Sequence, residues 1–81
     1  MEIREATEQE VQILMQNITW LRKNYGYSKK MMAGILGIGL WSLNKIERGE
    51  LPPKLSVELR ITVWRRFGIY PRVMLTRRLG E

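Results

Sequence analysis

Residues 27–49 read YSKKMMAGILGIGLWSLNKIERG, and this stretch decides the fold. Ser28 carries a hydroxyl that can cap a helix, so we expect a first short helix that runs to about Leu36. Gly37 can take the left-handed backbone conformation that ends a helix without steric cost. Gly39 then precedes a second short helix, predicted from Leu40 to Arg48 and ended by Gly49. The stretch therefore predicts two helices joined by a tight turn.

Both short helices have one apolar side. The first is expected to bury Met32, Ala33 and Leu36, and the second to bury Leu43 and Ile46. Ala33 is small enough to let the second helix cross the first closely. The opposite side of the second helix is left to face outward.

Ala33, the Gly37-Ile38 turn, Leu43 and the ending KIERG at residues 45–49 resemble the Xre/Cro/cI-type, phage-repressor-like helix-turn-helix family. The resemblance covers roughly residues 18–69. It implies an all-α, lambda-repressor-like compact bundle of about five helices. It also implies a small transcriptional regulator that binds double-stranded DNA sequence-specifically, with a recognition helix at about residues 39–48 in the major groove.

The resemblance also implies which residues contact DNA. In such domains the start and outer face of the second helix reach base edges, and the start of the first helix contacts phosphates. Carried onto this sequence, the expected DNA-binding residues are Ser28, Lys29, Lys30, Gly39, Leu40, Trp41, Ser42, Asn44, Lys45 and Arg48. Asn44 either pairs with adenine or accepts a local backbone hydrogen bond. Arg48 either reaches phosphate or pairs with Asn44 or Glu47.

Three positions depart from the family pattern. Lys29 stands where the family commonly has glutamine, which favours phosphate affinity over base reading. Leu40 and Trp41 stand where polar, groove-facing residues are usual. They either touch thymine methyl groups and sugars, or form a contact surface for a protein, or, for Trp41, fold back into the core. The alternative function is accordingly a protein-interaction module, such as an antirepressor or a toxin–antitoxin type partner, which uses these two residues and the C-terminal aromatics.

An apolar C-terminal surface is expected from a second group of residues: Trp64, Phe67, Tyr70, Val73 and Met74. Repressors of this family often dimerise through their C-terminal helices, so the resemblance predicts a homodimer. The alternative is that these residues only close a small core.

The remaining segments complete the predicted domain, residues 7–81. Residues 1–6 are expected to form an arm that is disordered or loosely docked. Thr7 and Glu10 form a capping-box pattern at the start of a helix with an apolar face, ended by Gly26. That face comprises Val11, Leu14, Ile18 and Leu21.

The region after the second short helix is less clearly patterned. Residues 51–53 are expected to form a stiff Leu-Pro-Pro connector. Residues 54–67 alternate apolar and polar like a strand, but Val57, Ile61, Trp64 and Phe67 also fit a helical stripe. A lone strand has no partner for its backbone groups, so we predict a helix ended by Gly68. A last helix is expected to open at Tyr70-Pro71 and to end in residues 76–79.

Composition narrows the function further. The 81 residues suffice for one domain, and the chain contains neither cysteine nor histidine. Without these residues and without a glycine-rich phosphate motif, we expect no enzyme and no metal or other cofactor. No apolar run approaches the roughly 20 residues of a membrane span, and the acidic start is unlike a signal peptide, so the cytoplasm is expected.

The charge is unevenly distributed. Net charge is +6, with −3 in residues 1–10 and +9 in residues 22–81. Such a segregated basic region favours a polyanionic partner.

Overall fold

The computed structural model describes residues 6–51 and 55–81, and within them the chain forms five α-helices and no strand. The helices are α1 (Glu8–Tyr25), α2 (Lys29–Leu36), α3 (Leu40–Glu47), α4 (Ser56–Phe67) and α5 (Pro71–Thr76). The all-α prediction is therefore confirmed, and so is the choice of a helix for the ambiguous segment before Gly68.

The longest helix, α1, starts with the predicted capping box. The Thr7 hydroxyl accepts the Glu10 N–H at 3.2 Å, and the Glu10 carboxylate accepts the Thr7 N–H at 3.0 Å. Acidic residues lie in its first turn and basic residues in its last turn, so both ends complement the helix dipole. These local signals explain why the helix begins and ends as the sequence predicts.

One backbone motif ends α1, α2 and α3. In each case a glycine in the left-handed conformation is followed by a residue whose N–H bonds back into the last turn. At the turn between α2 and α3, Gly37 has φ 70° and donates to the Gly34 carbonyl at 3.2 Å, while Ile38 donates to Ala33 at 3.0 Å. Because a side chain at positive φ is strained, Gly37 is what allows α3 to follow so closely.

The core draws at least one fully buried side chain from every helix. These are Leu14 and Ile18 of α1, Met32 of α2, Leu43 of α3, Val63 of α4 and Met74 of α5. The apolar faces predicted for α1, α2 and α3 are all buried, and α1 packs against α3, α4 and α5. The long first helix is thus the scaffold for α3, α4 and α5, and α2 packs against α3 and α4.

The predicted N-terminal arm divides at Ala6. Ala6 is buried and belongs to the core, because it packs beside the start of α1. Residues 1–5, the rest of the predicted arm, and residues 52–54, which include the two prolines of the predicted connector, lie outside the described residues.

The face predicted for α4 is wrong. The buried side contains Ser56, Leu59, Arg60 and Val63, whereas Trp64 is exposed and Val57 and Ile61 are only partly buried. Alternating apolar residues place hydrophobic side chains on two sides of a helix. The side that is buried also contains the polar Ser56 and Arg60, so the sequence pattern does not identify it as the inner side. Contacts with α1, α2 and α5 select the face that Leu59 and Val63 share.

The last helix is shorter than predicted, because Asn17 binds the chain that follows it. The Asn17 amide donates to the carbonyls of Met74 at 2.9 Å and Arg77 at 2.7 Å, and it accepts the Leu79 N–H at 2.9 Å. Arg77 is extended, so α5 ends at Thr76. A single buried amide on α1 thus takes over hydrogen bonds that a longer helix would have made.

A partly buried ion pair ties α1 to the end of α3. Arg22 donates through Nε to Glu47 Oε2 at 2.6 Å and through Nη2 to Oε1 at 3.1 Å. Its Nη1 also donates to the Tyr27 carbonyl at 3.2 Å, in the connection between α1 and α2. The two side chains are only 15% and 10% exposed. One guanidinium therefore fixes three segments around the helix pair.

We expect Glu47→Ala to lower the free energy of unfolding by about 2 kcal/mol, because it leaves a partly buried guanidinium without its two-pronged partner. The matched control is Glu50→Ala, which removes an exposed pair with Arg48 and should cost less than about 0.5 kcal/mol. Urea denaturation followed by circular dichroism measures both. Equal losses in the two variants would contradict the role given to the Arg22 pair.

Candidate nucleic-acid interface

The starts of α2 and α3 differ in how their N–H groups are satisfied. Ser28 caps α2, and its hydroxyl accepts the Met31 N–H at 3.1 Å. α3 begins after Gly39, and no side chain among the described residues caps it. Helix N-termini attract anions through their outward N–H groups and the positive end of the helix dipole. The uncapped start of α3 is therefore open to a ligand.

Two lysines occupy the first two positions of α2. Lys29 and Lys30 are both exposed, and the first turn contains no acidic residue. A cation at a helix N-terminus is disfavoured by the dipole, by about 0.3–1 kcal/mol at exposed sites. Folding alone gives no reason for this placement, which suits an anion that lies across the helix start.

The outer face of α3 presents Trp41, Asn44, Lys45 and Arg48, spaced three and four residues apart, opposite the buried Leu43 and Ile46. Leu40 borders this face at the helix start. Trp41 is 70% exposed and Leu40 is 46% exposed. The interpretation in which Trp41 folds back into the core is therefore wrong, and two large apolar side chains stand in solvent beside the basic residues.

Trp41 and Lys45 contact each other one helical turn apart. The Lys45 ammonium lies 4.5 Å from the centroid of the Trp41 ring, which is a cation–π arrangement. The contact restricts two side chains that would otherwise move independently. The positive charge of Lys45 is thus held over the most exposed aromatic surface of α3.

Asn44 and Arg48 do not make the intramolecular contacts that the sequence suggested. Glu47 is bound by Arg22, and Arg48 pairs instead with Glu50, Nε to Oε2 at 2.6 Å. The Asn44 side chain is half-buried, and it forms no hydrogen bond with any part of the chain that the structure describes. Its amide is therefore available to an external partner.

Ser42 lies apart from the outer face. It is half-buried and lines a groove between α3 and α4, together with Leu55 and Leu59. The expected DNA-binding residues thus form two groups, with Ser42 on the flank. The group at the start of α2 is exposed, and the group on α3 contains the half-buried Asn44 and Lys45.

The predicted C-terminal surface divides in the structure. Trp64 and Tyr70 are exposed and contact each other, with ring centroids 6.1 Å apart. Phe67 packs partly into the core and lies 5.5 Å from the Tyr25 ring, and Val73 is half-buried. Met74 is fully buried, because α5 turns it towards α1 and α4. Met74 is therefore a core residue and lies outside any interaction surface.

Sequence inspection missed the aromatic pair beside the start of α2. Tyr25 and Tyr27 stack with centroids 5.4 Å apart and an interplanar angle of 10°. Two tyrosines around a glycine, directly before the capping Ser28, were the available signal. The support that Arg22 gives to α3 had no comparable signal, because its partner lies 25 residues further along the chain.

Among residues 6–51 and 55–81, no helix combines the length and the apolar character that crossing a membrane requires. In the same part of the chain, no three side chains of the histidine, cysteine or acidic types come together as a metal site would need.

Comparison with known proteins identifies the segment that contains α2 and α3. A family model described as Helix-turn-helix matches residues 18–59, just over half of the chain, from the middle of α1 into α4. No curated protein and no solved structure gives a significant match. The matched region contains the α2–α3 pair, the Arg22–Glu47 ion pair and both groups of expected DNA-binding residues. The chain therefore belongs to the Xre/Cro/cI-type helix-turn-helix family of DNA-binding regulators.

Proposed function

We propose that the protein is a transcriptional regulator that binds double-stranded DNA sequence-specifically. In this proposal, the face of α3 formed by residues 39–48 enters the major groove, and the start of α2 holds the phosphate backbone. The observation that carries the proposal is the pair Lys29 and Lys30, which stand against the helix dipole at a place where a bound anion would stabilise them.

Phosphate contacts supply affinity and register. Contact with phosphate is assigned to the exposed Lys29 and Lys30 and to those N–H groups at the start of α2 that Ser28 does not cap. Net charge of +6 adds attraction at longer range. Binding of this kind weakens steeply as salt rises, because each neutralised phosphate releases counterions.

Base reading is assigned to the outer face of α3. Lys45 can donate to the acceptors N7 and O6 of guanine, and Trp41 restricts where its ammonium lies. The unpaired amide of Asn44 has the donor and acceptor that match adenine N6 and N7. Arg48 is exposed and pairs with Glu50, so it reaches phosphate only by leaving that partner.

A homodimer is part of the proposal. The exposed Trp64–Tyr70 pair is the apolar surface left at the C-terminal side once Met74 is assigned to the core. Dimers of helix-turn-helix proteins bind two half-sites about one helical turn of DNA apart, so a homodimer would present one α3 helix to each half-site. Sedimentation equilibrium at micromolar concentration should show a dimer that Tyr70→Ser weakens, and a monomer throughout would contradict this part.

The second candidate is a protein-interaction module. The exposure of Leu40 and Trp41 favours it, since a tryptophan flanked by apolar surface is a common centre of protein interfaces. Trp41→Ala would then abolish capture of a partner protein while leaving DNA affinity unchanged. Loss of DNA affinity in the same variant supports the first function.

The direct experiment is selection of a binding site from a random-sequence duplex pool, followed by fluorescence anisotropy over a range of salt. We expect an enriched motif and a steep fall of affinity with salt. Lys45→Ala should relax the motif at one position at a cost of about 1–3 kcal/mol in discrimination, because it removes a base contact. Lys23→Ala on α1 is the matched control and should leave the motif unchanged.

The outcomes of that selection separate the possibilities. Salt-sensitive binding without an enriched motif would reduce the function to nonspecific binding of nucleic acid. Absence of binding at low salt would contradict the proposed DNA-binding function and would favour the second candidate, the protein-interaction module.

A double reversal of charge at the start of α2 separates folding from function. Lys29→Glu with Lys30→Glu should raise the free energy of unfolding by about 0.5–1 kcal/mol, because acidic residues favour a helix N-terminus. The same variant should lose DNA affinity and reduce the slope of log affinity against log salt by about 2. Thermal denaturation and anisotropy measure the two effects.

The control variant changes the net charge by the same amount, but at the C-terminus of a helix and not at an N-terminus. Arg65→Glu with Arg66→Glu lies in the last turn of α4, so it should destabilise the fold and lower DNA affinity less. Equal loss of affinity in the two double variants would show that bulk charge, and not the start of α2, binds DNA.

A further inference from the structure

Leu40 and Trp41 are the first two residues of α3, and the fold makes little use of their side chains. Both are exposed, whereas the packing of α3 rests on Leu43 and Ile46, which are fully or almost fully buried. Exposing two adjacent large apolar side chains is unfavourable in water. Their contact surface is therefore available to a partner that brings an apolar group to the start of α3.

The chemistry of the two side chains limits what they can recognise. Leu40 has no hydrogen-bonding group, and the indole of Trp41 offers a single N–H donor. In the major groove the apolar feature among the four bases is the 5-methyl group of thymine. A helix that begins with leucine and tryptophan thus has few groups that can form hydrogen bonds with base edges. It has instead a large apolar surface that can contact methyl groups.

The surroundings favour DNA over a protein as the occupant. Lys45 lies on one face of the Trp41 ring, and the uncapped N–H groups of α3 adjoin Leu40. Lys29 and Lys30 begin the preceding helix, and no acidic residue lies in the first turn of α2 or α3. The apolar side chains therefore adjoin the Lys45 ammonium and the positive end of the α3 dipole, both of which complement the phosphate backbone.

We propose that Leu40 and Trp41 read the 5-methyl groups of thymine, so that the half-site of this protein is defined partly by methyl contacts. This inference rests on the proposed function, and it names the bases that the start of α3 selects. One face of the Trp41 ring lies against the Lys45 ammonium. The rest of the Trp41 ring and the Leu40 side chain contact the methyl groups. The adjacent ammonium donates to a neighbouring base acceptor.

The test compares thymine with uracil, which differ by the methyl group alone and pair identically with adenine. The probe is the most enriched duplex from the random-sequence selection, synthesised with deoxyuridine in place of thymine at one position at a time. Wild-type protein should lose about fourfold in affinity at one or two positions in each half-site, the effect of one buried methyl group.

Variants assign that loss to side chains. The thymine-to-uracil ratio is the affinity for the thymine duplex divided by the affinity for the duplex with deoxyuridine at one position. In Leu40→Ala or Trp41→Ala this ratio should fall to about one at the position that the missing side chain contacts. Leu55→Ala is the matched control, since Leu55 is exposed to a similar degree, 48% against 46% for Leu40, and lies at the start of α4. It should keep the full fourfold ratio.

Each other outcome overturns the inference, and two of them leave the proposed function standing. Specific binding whose affinity is unchanged by deoxyuridine at every position would show that the start of α3 recognises something other than methyl groups. A thymine-to-uracil ratio that persists in both alanine variants would show that the methyl acts through DNA shape. Failure to enrich any duplex would remove the DNA function itself and transfer Leu40 and Trp41 to a protein interface.

Discussion

The contact between Arg22 and Glu47 is the constraint on which the arrangement of the helix pair depends. It joins the last turn of α1 to the last residue of α3, and the same guanidinium binds the Tyr27 carbonyl between α1 and α2. The pair is shielded from solvent, so losing one partner leaves a charge that water cannot fully satisfy. Because both ends of the α2–α3 unit are fixed to α1, the outer face of α3 has one orientation relative to the rest of the fold.

In the proposed function, stability and binding make opposite demands at the start of α2. The ends of α1 carry the charges that the helix dipole favours, whereas α2 begins with two lysines. A similar conflict appears at α3, which begins without a side-chain cap and with two exposed apolar residues. Local departures of this kind gather where a surface serves a ligand. Both departures lie at the starts of α2 and α3, whereas both ends of α1 follow the ordinary rules.

Local signals allowed much of the fold to be predicted from the sequence. The capping box at Thr7, the hydroxyl of Ser28 and the glycines at 26, 37 and 68 act within a few residues of themselves, and each does in the structure what its chemistry dictates. The outer residues of α3 followed from the resemblance to the helix-turn-helix family, and the inner residues Leu43 and Ile46 followed from their spacing. The exposure of Trp41 did not, because a tryptophan beside Leu43 fits the core as readily as the surface until packing is known.

Features that depend on distant contacts were missed or wrong. The face of α4 is chosen by α1, α2 and α5, and the sequence offered two apolar stripes of similar quality. Asn17 looks like an ordinary polar residue, yet it holds a segment about 60 residues away. The partner of Glu47 is likewise set by the crossing of α1 and α3. In each case the deciding neighbour lies on another helix, beyond the reach of any local pattern.

The central claim is that the outer face of α3, supported by the start of α2, is the surface that meets DNA. Nuclear magnetic resonance titration of the labelled protein with a selected duplex tests it most directly. The account predicts that the largest shifts fall on the Trp41 indole N–H, on the amides of residues 39–45 and on those of residues 29–31. Shifts concentrated on α5 and the Trp64 indole, with α3 unaffected, would contradict it.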